Sequence, residues 1–276
     1  MVERVSGVAV NTQRNVSASE PTSGGIPLRV EGVSKQFVSR AGLVTALEPT
    51  TLDIAAGEFV CLLGPSGCGK STLLSIIAGL DAPTSGTIYA NGQAIQGPGT
   101  ERVLLFQEAA LFPWLDVQHN VEYGMRQLGV PARERADRAR ELLGVVGLQG
   151  FERSYVHQLS GGMRQRAAIA RALAINPSVL LMDEPFGALD ALTRDRLHAE
   201  LEAIWSSTRK TIVFVTHNVR EAVALGDRVL VFSPRPGRVI ADYRIDLPRT
   251  RSLEDPALAH KAAEILGVLR TAMEAA

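Results

Sequence analysis

The stretch that decides the fold is Phe59-Val60-Cys61-Leu62-Leu63-Gly64-Pro65-Ser66-Gly67-Cys68-Gly69-Lys70-Ser71-Thr72. Its five leading apolar residues read as a buried strand, and an apolar helix is expected from Ser71 to Leu80. Between them, Gly64 to Ser71 matches G-x-x-x-x-G-K-[ST] in the strand-turn-helix context that this motif requires. The glycines let the backbone curl, so that successive N–H groups and the helix N-terminus face phosphate oxygens. Lys70 is placed to reach β- and γ-phosphates, and Ser71 to ligate Mg²⁺. The expected cradle comprises Gly64, Pro65, Ser66, Gly67, Cys68, Gly69, Lys70, Ser71 and Thr72.

Two further stretches complement it. Val179-Leu180-Leu181-Met182-Asp183-Glu184 reads as a buried strand ending in two carboxylates. Asp183 is expected to hold the Mg²⁺ coordination sphere, and Glu184 to orient or deprotonate an attacking water. Leu159-Ser160-Gly161-Gly162-Met163 places Ser160 at an N-cap, followed by two glycines that expose backbone N–H groups, a second helix start suited to phosphate.

Around these stretches strands are expected at Leu28 to Val33, Gly86 to Ala90 and Val103 to Phe106, punctuated by Asn91-Gly92 and Gly97-Pro98-Gly99. A helical insert is expected from about residue 108 to 165, carrying a helix at Ala132 to Val146, and a further helix at Met163 to Ile175 is stopped by Pro177. Strands at Val179 to Met182, Ile212 to Val215 and Val229 to Phe232, with a helix at Thr193 to Ser206, complete an alternation that implies a mainly parallel, covered sheet. Residues 1–27, rich in Ser, Thr, Asn and Gly, read as a disordered leader. Residues 248–276 read as a C-terminal extension with a helix from Pro256 to Met273, whose role the sequence does not state.

The 276 residues carry 29 basic and 29 acidic side chains, a balance that gives no general footprint for nucleic acid. The longest uncharged run, Ala82 to Thr100, is broken by glycines and prolines and does not read as a membrane span. Cys61 and Cys68 are the two cysteines, which argues against a disulfide framework and for a reducing, cytoplasmic setting. Cys68, beside Lys70 and a helix N-terminus, is expected to be the reactive thiol, and Cys61, inside a strand, to be inert.

Taken in order, GPSGCGKST at 64–72, Gln107, LSGG at 159–162, LLMDEP at 180–185, ALD at 188–190 and His217 resemble the nucleotide-binding subunits of ABC transporters. The resemblance covers Leu28 to Leu247. It implies a P-loop NTPase (RecA-like) α/β core with an antiparallel β portion and an inserted helical subdomain. It also implies ATP and Mg²⁺ as ligands, and a head-to-tail dimer in which each ATP lies between the cradle of one copy and Ser160, Gly161 and Gly162 of the other. By the same resemblance Gln107 contacts Mg²⁺ or the water, His217 contacts the γ-phosphate, Asp190 crosses the dimer interface, and Phe37 stacks on adenine. The signature departs from the family pattern at Met163, where Gln is usual, so that one side-chain hydrogen bond is lost while the backbone contacts are kept.

GPGTERVLLFQ at 97–107, LFPW at 111–114, EPFGALDALTRD at 184–195 and SPRPGRV at 233–239 further resemble the branch that imports nitrate, sulfonates and taurine. There the ATPase sits on the cytoplasmic face of the inner membrane under a separate permease, and an extracytoplasmic binding protein reads the solute. Phe112, Pro113 and Trp114 are candidates for the groove that receives the permease, or for core of the helical insert. Import of another solute stays open, as does an ABC ATPase acting on nucleic acid, although the long coiled-coil arms such machines need have no heptads here.

Overall fold

The computed structural model describes residues 24–39, 42–187 and 189–275. In chain order the elements are β1 (Leu28–Ser39), β2 (Gly42–Ile54), β3 (Phe59–Leu63), α1 (Lys70–Ile77), β4 (Ser85–Ala90), β5 (Gln93–Ala94) and β6 (Arg102–Leu105). The helices α2 (Val117–Gln127), α3 (Ala132–Val145) and α4 (Gly161–Ala174) follow. Then come β7 (Val179–Asp183), α5 (Ala191–Thr208), β8 (Thr211–Thr216), α6 (Val219–Leu225), β9 (Arg228–Phe232), β10 (Val239–Arg244) and α7 (Pro256–Glu274).

The central sheet has six strands in the order β10-β9-β3-β8-β7-β6, parallel except for β10 at one edge. Both faces are covered, which is why its strands are apolar throughout rather than alternating. Phe59, Cys61 and Leu63 belong to one core with Met182, Phe214 and the helices α2 to α7. Val60 and Leu62 face the other way, into a second core with α1 and the antiparallel sheet β2-β1-β4-β5. The expected parallel sheet and antiparallel portion are both present. Three strands escaped the sequence reading: β2, whose alternation is interrupted by Glu48, Pro49 and Asp53, the two-residue β5, and β10, which lies among prolines and charges.

Helix α2 was not anticipated either. Its inward stripe is only Val117, Val121 and Met125, and Asn120 and Glu122 are buried beside it. Asn120 is held by Phe112, Leu115 and Asp116 carbonyls and accepts from the Phe112 N–H (2.8 Å), which fixes the loop before α2. Helices α2, α3 and α4 pack on one another, and α4 also reaches β6, so this layer is continuous with the sheet.

Residues 1–23 of the expected leader lie outside the described residues. The last residues of that segment are part of the fold. Gly25 N–H donates to Arg209 O (2.8 Å), Ile26 O accepts from Thr211 Oγ1 (2.7 Å), and Pro27 O accepts from Asn91 N–H (2.9 Å). Residues ahead of Leu28 thus belong to the fold, as a lead-in that ties β1 to the sheet.

The C-terminal helix is integrated with the core. Leu258, Ala262, Ile265 and Leu269 of α7 are buried against α6 and β9. Each large aliphatic side chain buried there contributes about 1.5–3 kcal/mol. Arg251 donates to the Val223 (3.0 Å) and Gly226 (2.6 Å) carbonyls at the end of α6. Arg249 pairs with Glu202 (3.1 Å) and Asp227 (2.8 Å). Among the described residues no helix is long and apolar enough to cross a membrane.

Candidate active site

Sheet register brings the site together. Leu63 pairs with Thr216, Met182 with Leu105, and Asp183 with Val215, so the cradle, the acid pair, Gln107 and His217 all leave the sheet at one edge. The carboxyl ends of parallel strands are where open α/β sheets bind ligands.

At that edge the turn from Gly64 to Gly69 runs into α1, whose start has no side-chain cap. Gly69 has φ 96°, and a Cβ there would lie 2.6 Å from the Ala46 carbonyl, so β2 packs directly on the cradle. Lys70 is 4% exposed and donates to the carbonyls of Gly64 and Pro65, both at 2.8 Å. Its ammonium is thus held at the mouth of the turn. Ser71 Oγ donates to Asp183 Oδ1 at 2.9 Å. This is the pair that could hold a divalent cation, and it closes a gap of more than a hundred residues in the chain.

Burial pushes the Asp183 carboxyl up from its ordinary value; the Ser71 hydrogen bond opposes this, the neighbouring Glu184 charge adds to it, and Lys70 opposes it. A carboxylate that resists ionisation gains a counter-charge when a cation arrives. Among the described residues no three His, Cys, Asp or Glu side chains converge as a metal cage. The hydroxyl and carboxylate oxygens of Ser71 and Asp183 are the kind of donor that Mg²⁺ takes, one or two protein oxygens together with substrate phosphates and water.

Glu184 sits at φ 44°, an uncommon conformation for a non-glycine residue, and its N–H is fixed on Val215 O (3.0 Å). This turn aims its carboxylate at His217, whose Nδ1 lies 2.9 Å from Glu184 Oε2. The His217 side chain is otherwise 60% exposed. Gln107 is exposed on the loop after β6, two residues past Leu105, which pairs with Met182.

Five other expected residues are carried by other elements. Ser160 caps α4, accepting from Met163 N–H (3.2 Å), with Gly161 in the exposed first turn and Gly162 half-buried behind it. Met163 itself packs against the larger core, so its thioether fills space rather than facing outward. Asp190 caps α5 by accepting from Thr193 N–H (3.0 Å), a bond that lowers its pKa. Phe37, on β1 opposite Val44, is 43% exposed with the Lys35 ammonium 5.1 Å from its ring centre. A half-exposed ring on the strand pair that backs the cradle can stack on a base.

The expectation of a reactive Cys68 is corrected. Its side chain is 1% exposed, inside the second core, with Sγ 3.5 Å from Lys70 Nζ. The cradle uses the backbone of this residue and turns its thiol inward, where a bulky reagent has no access. Cys61 is fully buried and burial raises its pKa well above the ordinary thiol value, so it is inert as expected.

Sequence reasoning missed the floor of the cradle. The segment 233–239, noted only for its resemblance, folds under the turn. Arg235 Nε donates to Gly67 O (3.2 Å), Gly237 N–H donates to Ala46 O (3.1 Å), and a Cβ on Gly237 would lie 1.8 Å from the Cys68 carbonyl. The glycine in this segment was the available signal, but nothing local says what it packs against.

A glycine-rich turn between a parallel strand and a helix, a lysine at its mouth and a serine bonded to a strand-end aspartate define a P-loop nucleotide hydrolase. Within that class the chain belongs to the ABC transporter family, whose pattern matches residues 47–187. It is 51% identical over 221 residues to the nitrate import ATP-binding protein NrtD of Synechocystis sp., covering 80% of this chain and 83% of that one. It is 45% identical to the taurine import ATP-binding protein TauB of Jannaschia sp., covering 88% and 93%. A solved dimeric ATP-binding cassette bound to ADP and Pi superposes with TM-score 0.72 at 33% identity, over 80% of this chain and all of that one. As a member of this family the chain is an ATP-binding, ATP-hydrolysing transporter subunit.

Proposed function

We propose that this chain hydrolyses MgATP in a two-copy assembly, and thereby energises uptake of a small anion such as nitrate, a sulfonate or taurine through a separate membrane permease. The observation that carries the chemistry is the convergence of Lys70, the Ser71–Asp183 pair and the Glu184–His217 pair on one sheet edge. The solute class rests on the names of the import proteins it resembles, and the dimer on the dimeric cassette.

In this reading the phosphates seat on the N–H groups of residues 64–72, and the Lys70 ammonium turns from two carbonyls to the β- and γ-phosphates. Ser71 and Asp183, with Gln107, would hold Mg²⁺, which neutralises phosphate charge. Glu184 accepts a proton from the water that attacks the γ-phosphorus as the bond to the β-bridging oxygen breaks. His217 holds Glu184 through Nδ1 and faces the γ-phosphate with the rest of its exposed ring. Phe37 supports the adenine, while Ser160, Gly161, Gly162 and Asp190 of the second copy close over the nucleotide.

The permease is received beside Gln107, where Trp114 is 70% exposed and its ring lies tilted, 5.5 Å from that of Phe112, itself 4.4 Å from Tyr123. The chain then works on the cytoplasmic face of the inner membrane, and an extracytoplasmic binding protein selects the solute. The test is ATP hydrolysis by the full chain with membranes carrying its genomically adjacent permease, against DNA and ribosomes, together with growth of a deletion strain on nitrate, taurine or alkanesulfonates. Stimulation by the membranes and loss of growth on one of these sources are expected. Stimulation by DNA alone, with growth intact, would overturn the proposal.

A further inference from the structure

Behind the Glu184–His217 pair lies a buried polar chain that no step of the hydrolysis uses. Glu221, on α6, is 6% exposed, and its carboxylate accepts from two sides. Thr216 Oγ1 donates to Oε2, and His198 Nε2, from the middle of α5, lies 2.7 Å from Oε1. Thr216 Oγ1 in turn accepts from the Asn218 N–H (3.0 Å), and Asn218 Oδ1 caps α6 by accepting from the Glu221 N–H (3.3 Å). The residues on either side of His217 are therefore both pinned to Glu221, and His217 is left to meet Glu184.

His198 ties this hub to two other parts of the site. Its ring meets Phe186, two residues past Glu184, edge-on at 5.1 Å. It also stands on the helix that Asp190 caps. Its Nδ1 is buried without a hydrogen-bond partner among the described residues. An unpaired buried ring nitrogen costs free energy. A side chain chosen only for packing would not carry that cost, so the contact through Nε2 is what the position retains. A cavity of about 50 Å³, whose lining includes Glu184, Arg194, Thr216, His217, Asn218 and Glu221, lies between the hub and the catalytic pair. With its side chain 60% exposed, His217 depends on the backbone of its turn for its position.

We propose that His198 and Glu221 are positioning residues that hold the Thr216–Asn218 turn, and through it His217, against Glu184, linking helix α5 to the hydrolytic pair. This rests on the hydrolytic site proposed above, and acts through His217 without touching nucleotide.

The experiment compares His198→Leu, His198→Gln and Thr216→Val in the full chain. His198→Leu removes the donor to Glu221, and Thr216→Val removes the hydroxyl that joins Glu221 to the turn. Each is expected to lower kcat for ATP about tenfold with KM within about twofold, the pattern of a lost transition-state arrangement. The Gln amide reproduces the Nε2 donor, so His198→Gln is expected to recover most of kcat. The chain has five histidines, so ring ¹⁵N resonances are few enough to assign. The His217 signals should move in His198→Leu and return in His198→Gln.

A folded His198→Leu or Thr216→Val protein with wild-type kcat, or unmoved His217 resonances, would overturn the proposal. If His198→Leu does not fold, Thr216→Val decides alone, by the same kinetics and spectra. Glu184→Gln in the same assay separates the two levels of inference: wild-type turnover there removes the hydrolytic site itself, whereas a dead Glu184→Gln beside unaffected relay variants removes only the relay.

Discussion

Helix α1 starts at Gly69 with no side-chain cap, whereas α4 starts at Ser160, whose hydroxyl accepts from Met163 N–H at 3.2 Å. Both starts are rich in glycine and both present N–H groups to an anion. They differ in what surrounds them. The first is enclosed by the sheet edge: Lys70 is buried on two carbonyls, Ser71 is bonded to Asp183, and Gly67 is braced by Arg235. The second stands open, and its bonds among the described residues are local to its own helix start. The enclosed terminus is thus a binding site within one chain. The open one gains an anion only when another surface brings it, which is the physical basis for a shared site.

The largest expected effect breaks the chemistry while leaving both helix starts intact. Glu184→Gln keeps the shape of the side chain but removes the base, so hydrolysis should fall by about 10²–10⁴ while ATP binding persists. Size-exclusion chromatography with ATP should then show a stable dimer. Turnover within a few-fold of wild type would instead make His217, assisted by Gln107, the leading base.

Lys70→Ala attacks the enclosed terminus and should cost binding itself, by about 10²–10³. Fluorescent-nucleotide titration reads this directly, and parental affinity would show that the turn does not hold phosphate. In combination with Glu184→Gln it should return the dimer to monomer.

Ser160→Arg attacks the open terminus. Nucleotide affinity of the isolated chain should stay near wild type, while ATP-dependent dimerisation and hydrolysis fall about 10–100-fold, the scale of losing hydrogen bonds to a charged group. Unchanged dimerisation would erase the distinction between the two termini.

The smallest effect concerns the metal-free protein. Asp183 holds its proton more tightly in the folded chain than in the unfolded one, so stability is fullest below the unfolded carboxylate pKa and declines as pH rises through the raised folded value. Asp183→Asn should therefore raise the apo melting temperature near neutral pH by about 1–3 °C and flatten its rise toward acid, while weakening Mg²⁺-dependent binding. Calorimetry showing a lower melting temperature at neutral pH would mean that the Ser71 bond outweighs the buried charge.

The sequence by itself determined the parts of this molecule whose cause is local. Hydrophobic runs that are buried on both faces made β3, β7, β8 and β9 legible, and the glycine spacing from 64 to 71 made the turn legible, because sterics act within a few residues. Ser160 could be read as a helix start for the same reason: a cap bonds only two or three residues onward. Where the pattern was sparse or interrupted, as in α2, β2 and β10, tertiary packing supplied what propensity did not.

Only the tertiary structure decided which distant groups meet. Strand order and register place Ser71 on Asp183 and Glu184 on His217, put Gly237 beneath Cys68, and turn the Cys68 thiol inward although its neighbours had suggested a reactive one. Register also sets Thr216 where Glu221 and His198 can hold it, and the fit of α7 against α6 makes a terminal extension part of the core. No window of sequence contains these contacts, because they arise from how separate strands line up across a sheet, which is fixed only when the whole apolar core closes.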